Sequence, residues 1–123
     1  MTNEESRIDF IEKHAPRALY HYIHAKEKHP YFCDSIACIS ETDADNRLKI
    51  HRSVLRALER IGDVEAFNVV QCELYEAVQA NAHGDTAHAV EECFDAIAVL
   101  LRTIDVLEGR QKLGKPETKG ETK

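Results

Sequence analysis

Four acidic residues, arranged in two pairs, have the spacing that could support chemistry. Glu73 and Glu76 form one pair and Glu92 and Asp95 the other, and the two members of each pair are three residues apart. Residues with this spacing share one face of a helix. Glu76 and Glu92 are each eight residues from Gly84, and Glu73 and Asp95 are each eleven residues from it. In an antiparallel helical hairpin that turns at Gly84, the two pairs would therefore meet, about 12 Å from the turn at ~1.5 Å per residue.

The segment around these pairs contains no basic residue to neutralise them. Residues 61–101 hold eight Asp or Glu residues and no Lys or Arg. Carboxylates ~5.5 Å apart repel one another by roughly 3 kcal/mol per pair at an effective dielectric constant of ~20. A hard divalent cation would relieve this repulsion, and Mg²⁺ combines a few carboxylates with water and substrate phosphates. The pattern therefore predicts a Mg²⁺ site, with Mn²⁺ as a substitute, at Glu73, Glu76, Glu92 and Asp95.

The rest of the sequence predicts the helices that must position these carboxylates. Apolar residues recur at helical spacing along the chain, which indicates an all-α fold, an antiparallel bundle of four to five helices. Pro16 is expected to kink the first helix or to begin a new one, and Gly62 to stop the second. Asp63 and Asp85 are expected to cap the third and fourth helices. The predicted helices cover about 4–28, 43–61, 63–81 and 85–107.

The inward faces of the last two helices follow from the same periodicity. We expect the third helix to bury a stripe formed by Phe67, Val70, Leu74, Ala77 and Val78. The corresponding stripe of the fourth helix is Val90, Cys93 or Phe94, Ile97, Leu100, Leu101 and Ile104. Residues 1–107 are predicted to form a single domain that contains the metal-binding hairpin 63–107. Residues 108–123 are polar, and we expect this C-terminal tail to be disordered.

Composition and charge narrow the classes of partner. The chain has 22 acidic and 16 basic residues and a net charge of −6, which is a poor match for a nucleic-acid backbone. Its longest apolar run, 96–101, is six residues, far too short for a membrane span or an export signal. We therefore expect a cytoplasmic protein that binds neither nucleic acid nor membrane. The four cysteines are then expected to be reduced thiols.

Other metal sites fit the sequence less well. Cys33 and Cys38, four intervening residues apart and near His29, match no strong zinc-ligand spacing. A di-iron bundle would be a rival explanation for four inward carboxylates, but it needs a Glu-x-x-His motif on two helices, and the sequence contains none. The acidic hairpin therefore remains the principal candidate site.

The acidic motif resembles that of a known enzyme family. Glu73-x-x-Glu76, fifteen intervening residues and Glu92-x-x-Asp95 resemble the signature of MazG-like nucleoside triphosphate pyrophosphohydrolases. These enzymes belong to the all-α superfamily that includes dimeric dUTPases and phosphoribosyl-ATP pyrophosphatase. The resemblance covers about 63–107. It implies that the four carboxylates bind Mg²⁺ that holds the triphosphate, and that water attacks the α-phosphorus to give a nucleoside monophosphate and pyrophosphate.

Several roles stay open within this interpretation. Glu91 or one of the four motif carboxylates could orient or deprotonate the attacking water. Basic residues outside the hairpin motif should meet the triphosphate, and the candidates are Arg102, Lys26, Lys28 and Arg60. The resemblance favours Arg102, which lies about two turns after the final acid of the motif, and it implies a homodimer or homotetramer. The alternative is a catalytically silent helical protein that uses the acidic hairpin to bind a cation or a partner.

Overall fold

All regular secondary structure in the described part of the chain is helical. A computed structural model describes residues 2–32 and 36–112, with the backbone alone for 110–112. These residues form four helices, α1 (Asn3–Lys28), α2 (Glu41–Arg60), α3 (Ala66–Ala82) and α4 (Thr86–Lys112), and no strand. The predicted all-α class is thus confirmed. None of the described helices is long and apolar enough to cross a membrane.

Helix α1 belongs to one compact unit, residues 1–34. A capping box starts the helix: Glu5 N donates to Thr2 Oγ1 at 3.1 Å, and Thr2 N donates to Glu5 Oε1 at 2.9 Å. Hydrogen bonds from the backbone N–H and from the side chain of Thr2 hold the pKa of the Glu5 carboxyl below its ordinary value. Pro16 lies inside α1, so the expectation that it begins a new helix is wrong.

Helices α2, α3 and α4 belong to the second unit, residues 35–123. Gly62, with φ of +69°, ends α2, as predicted. Asp63 does not cap α3 as expected, because α3 begins only at Ala66. The backbone N–H of Asp63 donates to Leu58 O at 2.9 Å and closes the end of α2. Glu65 takes the N-cap position of α3 instead.

The turn between α3 and α4 has the predicted position. Gly84 adopts a φ of +79°, a conformation that glycine reaches without steric cost. Asp85 has two roles there. Its backbone N–H donates to Ala80 O at 2.8 Å, and its Oδ1 accepts His88 N at 3.1 Å as the predicted cap of α4.

Helix α3 packs against α4 and against α2. The buried residues along these contacts are mostly small: Ala44 and Leu48 on α2, Cys72, Ala77, Val78 and Ala80 on α3, and Ala89 and Ala96 on α4. Small side chains let two helix backbones approach closely, and this geometry decides which face of each helix is enclosed.

The predicted apolar stripes are only partly enclosed. Ala77 and Val78 are buried, and Val70, Cys93, Leu101 and Ile104 are half-buried. The other members of both stripes are exposed, namely Phe67, Leu74, Val90, Phe94, Ile97 and Leu100. Helix α4 also continues past the predicted end at Leu107 as far as Lys112. Residues 113–123, most of the tail predicted to be disordered, lie outside the described residues.

Candidate metal centre

Three of the four predicted carboxylates come together between α3 and α4. Glu73, Glu92 and Asp95 each contribute an oxygen, and these three atoms all lie within 4.8 Å of one another. We call this group the carboxylate cluster. Glu73 and Glu92 are half-buried and Asp95 is exposed, so the cluster opens to solvent on one side. The two helices bring it together because α3 and α4 run side by side from the turn at Gly84.

One carboxylate oxygen of Glu73, Oε1, is buried without a hydrogen-bond partner among the described residues. Burial raises the pKa of this carboxyl above its ordinary value, and the negative charges of Asp95, Glu92 and Glu76 raise it further. An enclosed acceptor without a donor is unfavourable. The Glu73 carboxylate is therefore well placed to receive a cation.

Glu92 has a partner on its own helix. His88 Nε2 lies 2.9 Å from Glu92 Oε2, one turn earlier on α4. His88 Nδ1 is 3.9 Å from Asp85 Oδ2, so the imidazole lies between the cap of α4 and the carboxylate cluster. Histidines that contact acidic ligands orient the carboxylate and leave its second oxygen for another partner.

Glu76 is paired with a cation from α2. Arg52 Nη2 donates to Glu76 Oε2 at 2.6 Å, so Glu76 is not in the carboxylate cluster of the described residues. Burial raises the pKa of the nearby Cys72 thiol, the Glu76 charge adds to this rise, and the Arg52 charge opposes it. The expected convergence of all four carboxylates is therefore observed for three of them, while the fourth, Glu76, is one turn along α3 from Glu73 and is paired with Arg52.

An apolar groove begins one turn from the cluster, on the side of the open end of the hairpin. It encloses about 530 Å³. Val69, one turn before Glu73, and Val99, one turn after Asp95, line it together with Val64, Ala66, Arg102, Thr103, Val106 and Leu107. Arg102 thus brings a positive charge to a mainly apolar groove beside the cluster.

A second, polar groove lies on the side of the turn and encloses about 360 Å³. Arg52, Glu76 and His88 line it, and His88 in turn contacts Glu92 of the carboxylate cluster. At its far end His83 Nε2 is 2.6 Å from Glu41 Oε2, and Gln79 hydrogen-bonds Asp45. These contacts tie the end of α3 to the beginning of α2.

The other predicted residues lie in different places. Glu91 is exposed on α4. Arg60 is in the last turn of α2. Lys26 and Lys28 are in the last turn of α1, in the first unit, where Lys26 Nζ lies 5.4 Å from the centroid of the Tyr22 ring. Cys33 of the weighed zinc site lies outside the described residues.

Two residues near the cluster were not predicted from the sequence as part of the site. His88 could have been found, because it precedes Glu92 by four residues and therefore shares its helix face. Arg52 had no comparable signal, since its contact with Glu76 depends on how α2 packs against α3.

The donor set fits a hard divalent cation. Octahedral Mg²⁺ with bonds of about 2.1 Å places neighbouring ligand atoms about 3 Å apart and opposite ones about 4.2 Å apart. The three carboxylate oxygens are within 4.8 Å of one another, so side-chain movements of less than about 1 Å would bring them to these spacings. The shielded Oε1 of Glu73 has no hydrogen-bond donor among the described residues, so it is available to a cation.

Comparisons of the chain with protein-family models, with curated proteins and with solved structures each found no match. The functional interpretation therefore depends on the residues and geometry of the site itself.

Proposed function

We propose that the protein is a Mg²⁺-dependent hydrolase of the MazG-like kind that converts a nucleoside or deoxynucleoside triphosphate to the monophosphate and pyrophosphate. The observation that carries this proposal is the carboxylate cluster. It combines three oxygen ligands within 4.8 Å of one another with a shielded Glu73 oxygen that finds no donor among the described residues. Both features favour a divalent cation, and Mg²⁺ held by a few carboxylates commonly binds substrate phosphates as well.

In this proposal the residues of α3 and α4 act mainly by positioning charge. A bound Mg²⁺ would neutralise the phosphate oxygens and lower the pKa of a coordinated water. Glu73, Glu92 and Asp95 would hold it, and Glu76 would join them on release from Arg52. His88 would orient Glu92 through the 2.9 Å contact between Nε2 and Oε2. Glu91, or one of the motif carboxylates, would orient the attacking water.

The apolar groove supports a substrate that has an uncharged as well as a charged part. Its volume of about 530 Å³ is in the range of small-molecule pockets, and it begins one turn from the cluster. A nucleoside placed there would have its triphosphate at the carboxylates. Arg102, which lines the groove, would then contact the phosphate or the sugar.

Assembly of several copies belongs to the same proposal. Phe94, Ile97 and Leu100 are large apolar residues of α4 that remain exposed in one chain. Apolar surface of this kind is unfavourable in water and is commonly covered by a second subunit. We therefore propose a homodimer or homotetramer in which α3 and α4 lie near the interface.

The decisive experiment measures pyrophosphate release from a panel of canonical and modified nucleoside and deoxynucleoside triphosphates, with Mg²⁺ and with EDTA. We expect Mg²⁺-dependent pyrophosphate from at least one of them. Replacing each of Glu73, Glu76, Glu92 and Asp95 by alanine should lower turnover at least about a hundredfold. Asp63→Ala serves as the matched control, because Asp63 lies at the end of α2, and it should retain activity.

The outcomes separate this proposal from its alternatives. Release of orthophosphate alone would mean a different reaction class. Full activity in any two of the four alanine variants would contradict the site. Divalent-cation binding without hydrolysis of any nucleotide on the panel would instead favour the catalytically silent binding protein.

A further inference from the structure

The ion pair between Arg52 and Glu76 joins α2 to the edge of the carboxylate cluster. Glu76 is three residues from Glu73 and shares its helix face, yet its Oε2 accepts from Arg52 Nη2 at 2.6 Å. Glu76 is still close enough for its charge to contribute to the raised pKa of Glu73. Because residues 61–101 contain no Lys or Arg, this cation has to come from another part of the chain, and α2 supplies it.

The pair is one that can open at little cost. The Arg52 side chain is 46% exposed and the Glu76 side chain 29% exposed. Ion pairs this accessible to water typically contribute little to stability, because water screens the charges and both side chains lose freedom. A divalent cation offers a carboxylate a far stronger interaction than a half-exposed guanidinium does. Glu76 can therefore change partners without loss of the α2–α3 packing, which also includes the buried Leu48.

Arg52 has a suitable second partner within reach of the same groove. It lines the polar groove of about 360 Å³ together with Glu76 and His88, next to the place where the proposed triphosphate would lie. Guanidinium groups bind phosphate oxygens in a bidentate manner that matches their planar shape. A positive charge left without a partner by the departure of Glu76 would thus be satisfied by an arriving phosphate.

We propose that Arg52 exchanges partners: it holds Glu76 while the carboxylate cluster is free of metal, and it contacts the phosphates of a bound triphosphate once a divalent cation has engaged Glu76. This inference rests on the proposed function, because it requires the cluster to bind a cation together with a triphosphate. It makes Arg52 both a competitor of the metal and a binding residue for the substrate.

The two roles predict changes of opposite sign in one variant. Arg52→Gln removes the charge that competes for Glu76, so Mn²⁺ titrated into the metal-free protein should bind about three- to tenfold more tightly by calorimetry. The same variant should bind inorganic tripolyphosphate about tenfold more weakly in saturating Mg²⁺, because a charged hydrogen-bond donor is missing. Arg52→Lys keeps the charge, and both of its affinities should lie between those of wild type and of Arg52→Gln.

Arg47→Gln is the matched control. It removes the same charge from the same helix, but Arg47 Nη1 donates to Tyr75 Oη at 3.3 Å rather than to a carboxylate. Both affinities of the control should therefore stay within about twofold of wild type. Thermal melts of all variants establish that they are folded.

Three results would overturn the inference. The first is that Arg52→Gln and Arg47→Gln have equal Mn²⁺ affinities. The second is that Arg52→Gln weakens the binding of both Mn²⁺ and tripolyphosphate, which is expected if the Arg52–Glu76 pair only holds α2 against α3. The third is that the wild-type protein does not bind Mn²⁺. None of these readouts requires hydrolysis, so failure of the pyrophosphate assay with intact, oppositely shifted affinities would refute the reaction and leave the partner exchange standing.

Discussion

Replacement of Glu73 by glutamine should stabilise the metal-free protein. The substitution keeps the shape of the side chain and removes one negative charge from a cluster of three. Glu73 is the informative position, because Glu92 is already paired with His88 and Glu76 with Arg52. Its Oε1 has no donor among the described residues, so the substitution breaks no hydrogen bond to that atom in the described part of the chain. An amide at this position can instead donate to the neighbouring carboxylates.

The size of the effect follows from the spacing of the oxygens. Two charges 4.8 Å apart, the upper limit for the separation of these oxygens, repel by about 0.9 kcal/mol at a dielectric constant of ~80 and by about 3.5 kcal/mol at ~20. Glu73 takes part in two such contacts, with Glu92 and with Asp95. Because Asp95 is exposed, the lower value is the better guide, and the gain is about 2 kcal/mol. For a chain of this size, that corresponds to a rise in Tm of about 5–10 °C.

Thermal melts in EDTA, in Mg²⁺ and in NaCl of matched ionic strength test this reasoning. In EDTA the Glu73→Gln variant should melt above wild type, whereas Mg²⁺ should raise the Tm of wild type more than that of the variant. Glu91→Gln is the control: it removes the same charge from an exposed position on α4 and should change the Tm by less than about 2 °C. A Glu73→Gln variant that melts at or below wild type in EDTA would refute the proposed repulsion. Equal stabilisation by Mg²⁺ and by matched Na⁺ would refute a specific cation site.

Two further predictions concern pH and assembly. The pKa of Glu73 is raised above its ordinary value by burial and by neighbouring charges, so the folded, metal-free protein binds this proton more tightly than the unfolded chain does. Its contribution to the free energy of unfolding should therefore grow as the pH falls through the raised pKa toward about 4.5. When Tm is plotted against pH, the values for wild type and for Glu73→Gln should therefore converge over this range. A constant difference in Tm would contradict the raised pKa. Light scattering at micromolar concentration should give a mass above the 14.0 kDa of one chain, because Phe94 and Leu100 are exposed, and a monomeric mass would contradict the assembly.

The amino-acid sequence by itself predicted much of the local structure, although not the cap of α3 or the end of α4. Helical periodicity predicted an all-α chain, and Gly84 with Asp85 predicted the turn and the cap that start α4. The positions of Glu73 and Asp95, each eleven residues from that turn, were enough to expect them side by side. These inferences succeed because helix faces and turn geometry depend on residues only three or four positions apart.

Tertiary structure decided which partner each side chain meets. Spacing placed Glu76 on the same face as Glu73, but the packing of α2 brought Arg52 to it and took it out of the carboxylate cluster. Similarly, the periodicity of α4 left open whether Cys93 or Phe94 faces inward, and close packing through Ala89 and Ala96 left Phe94 exposed and Cys93 half-buried. A helical repeat specifies a direction from the helix axis, while the choice among competing partners depends on distances between helices, which no local pattern contains.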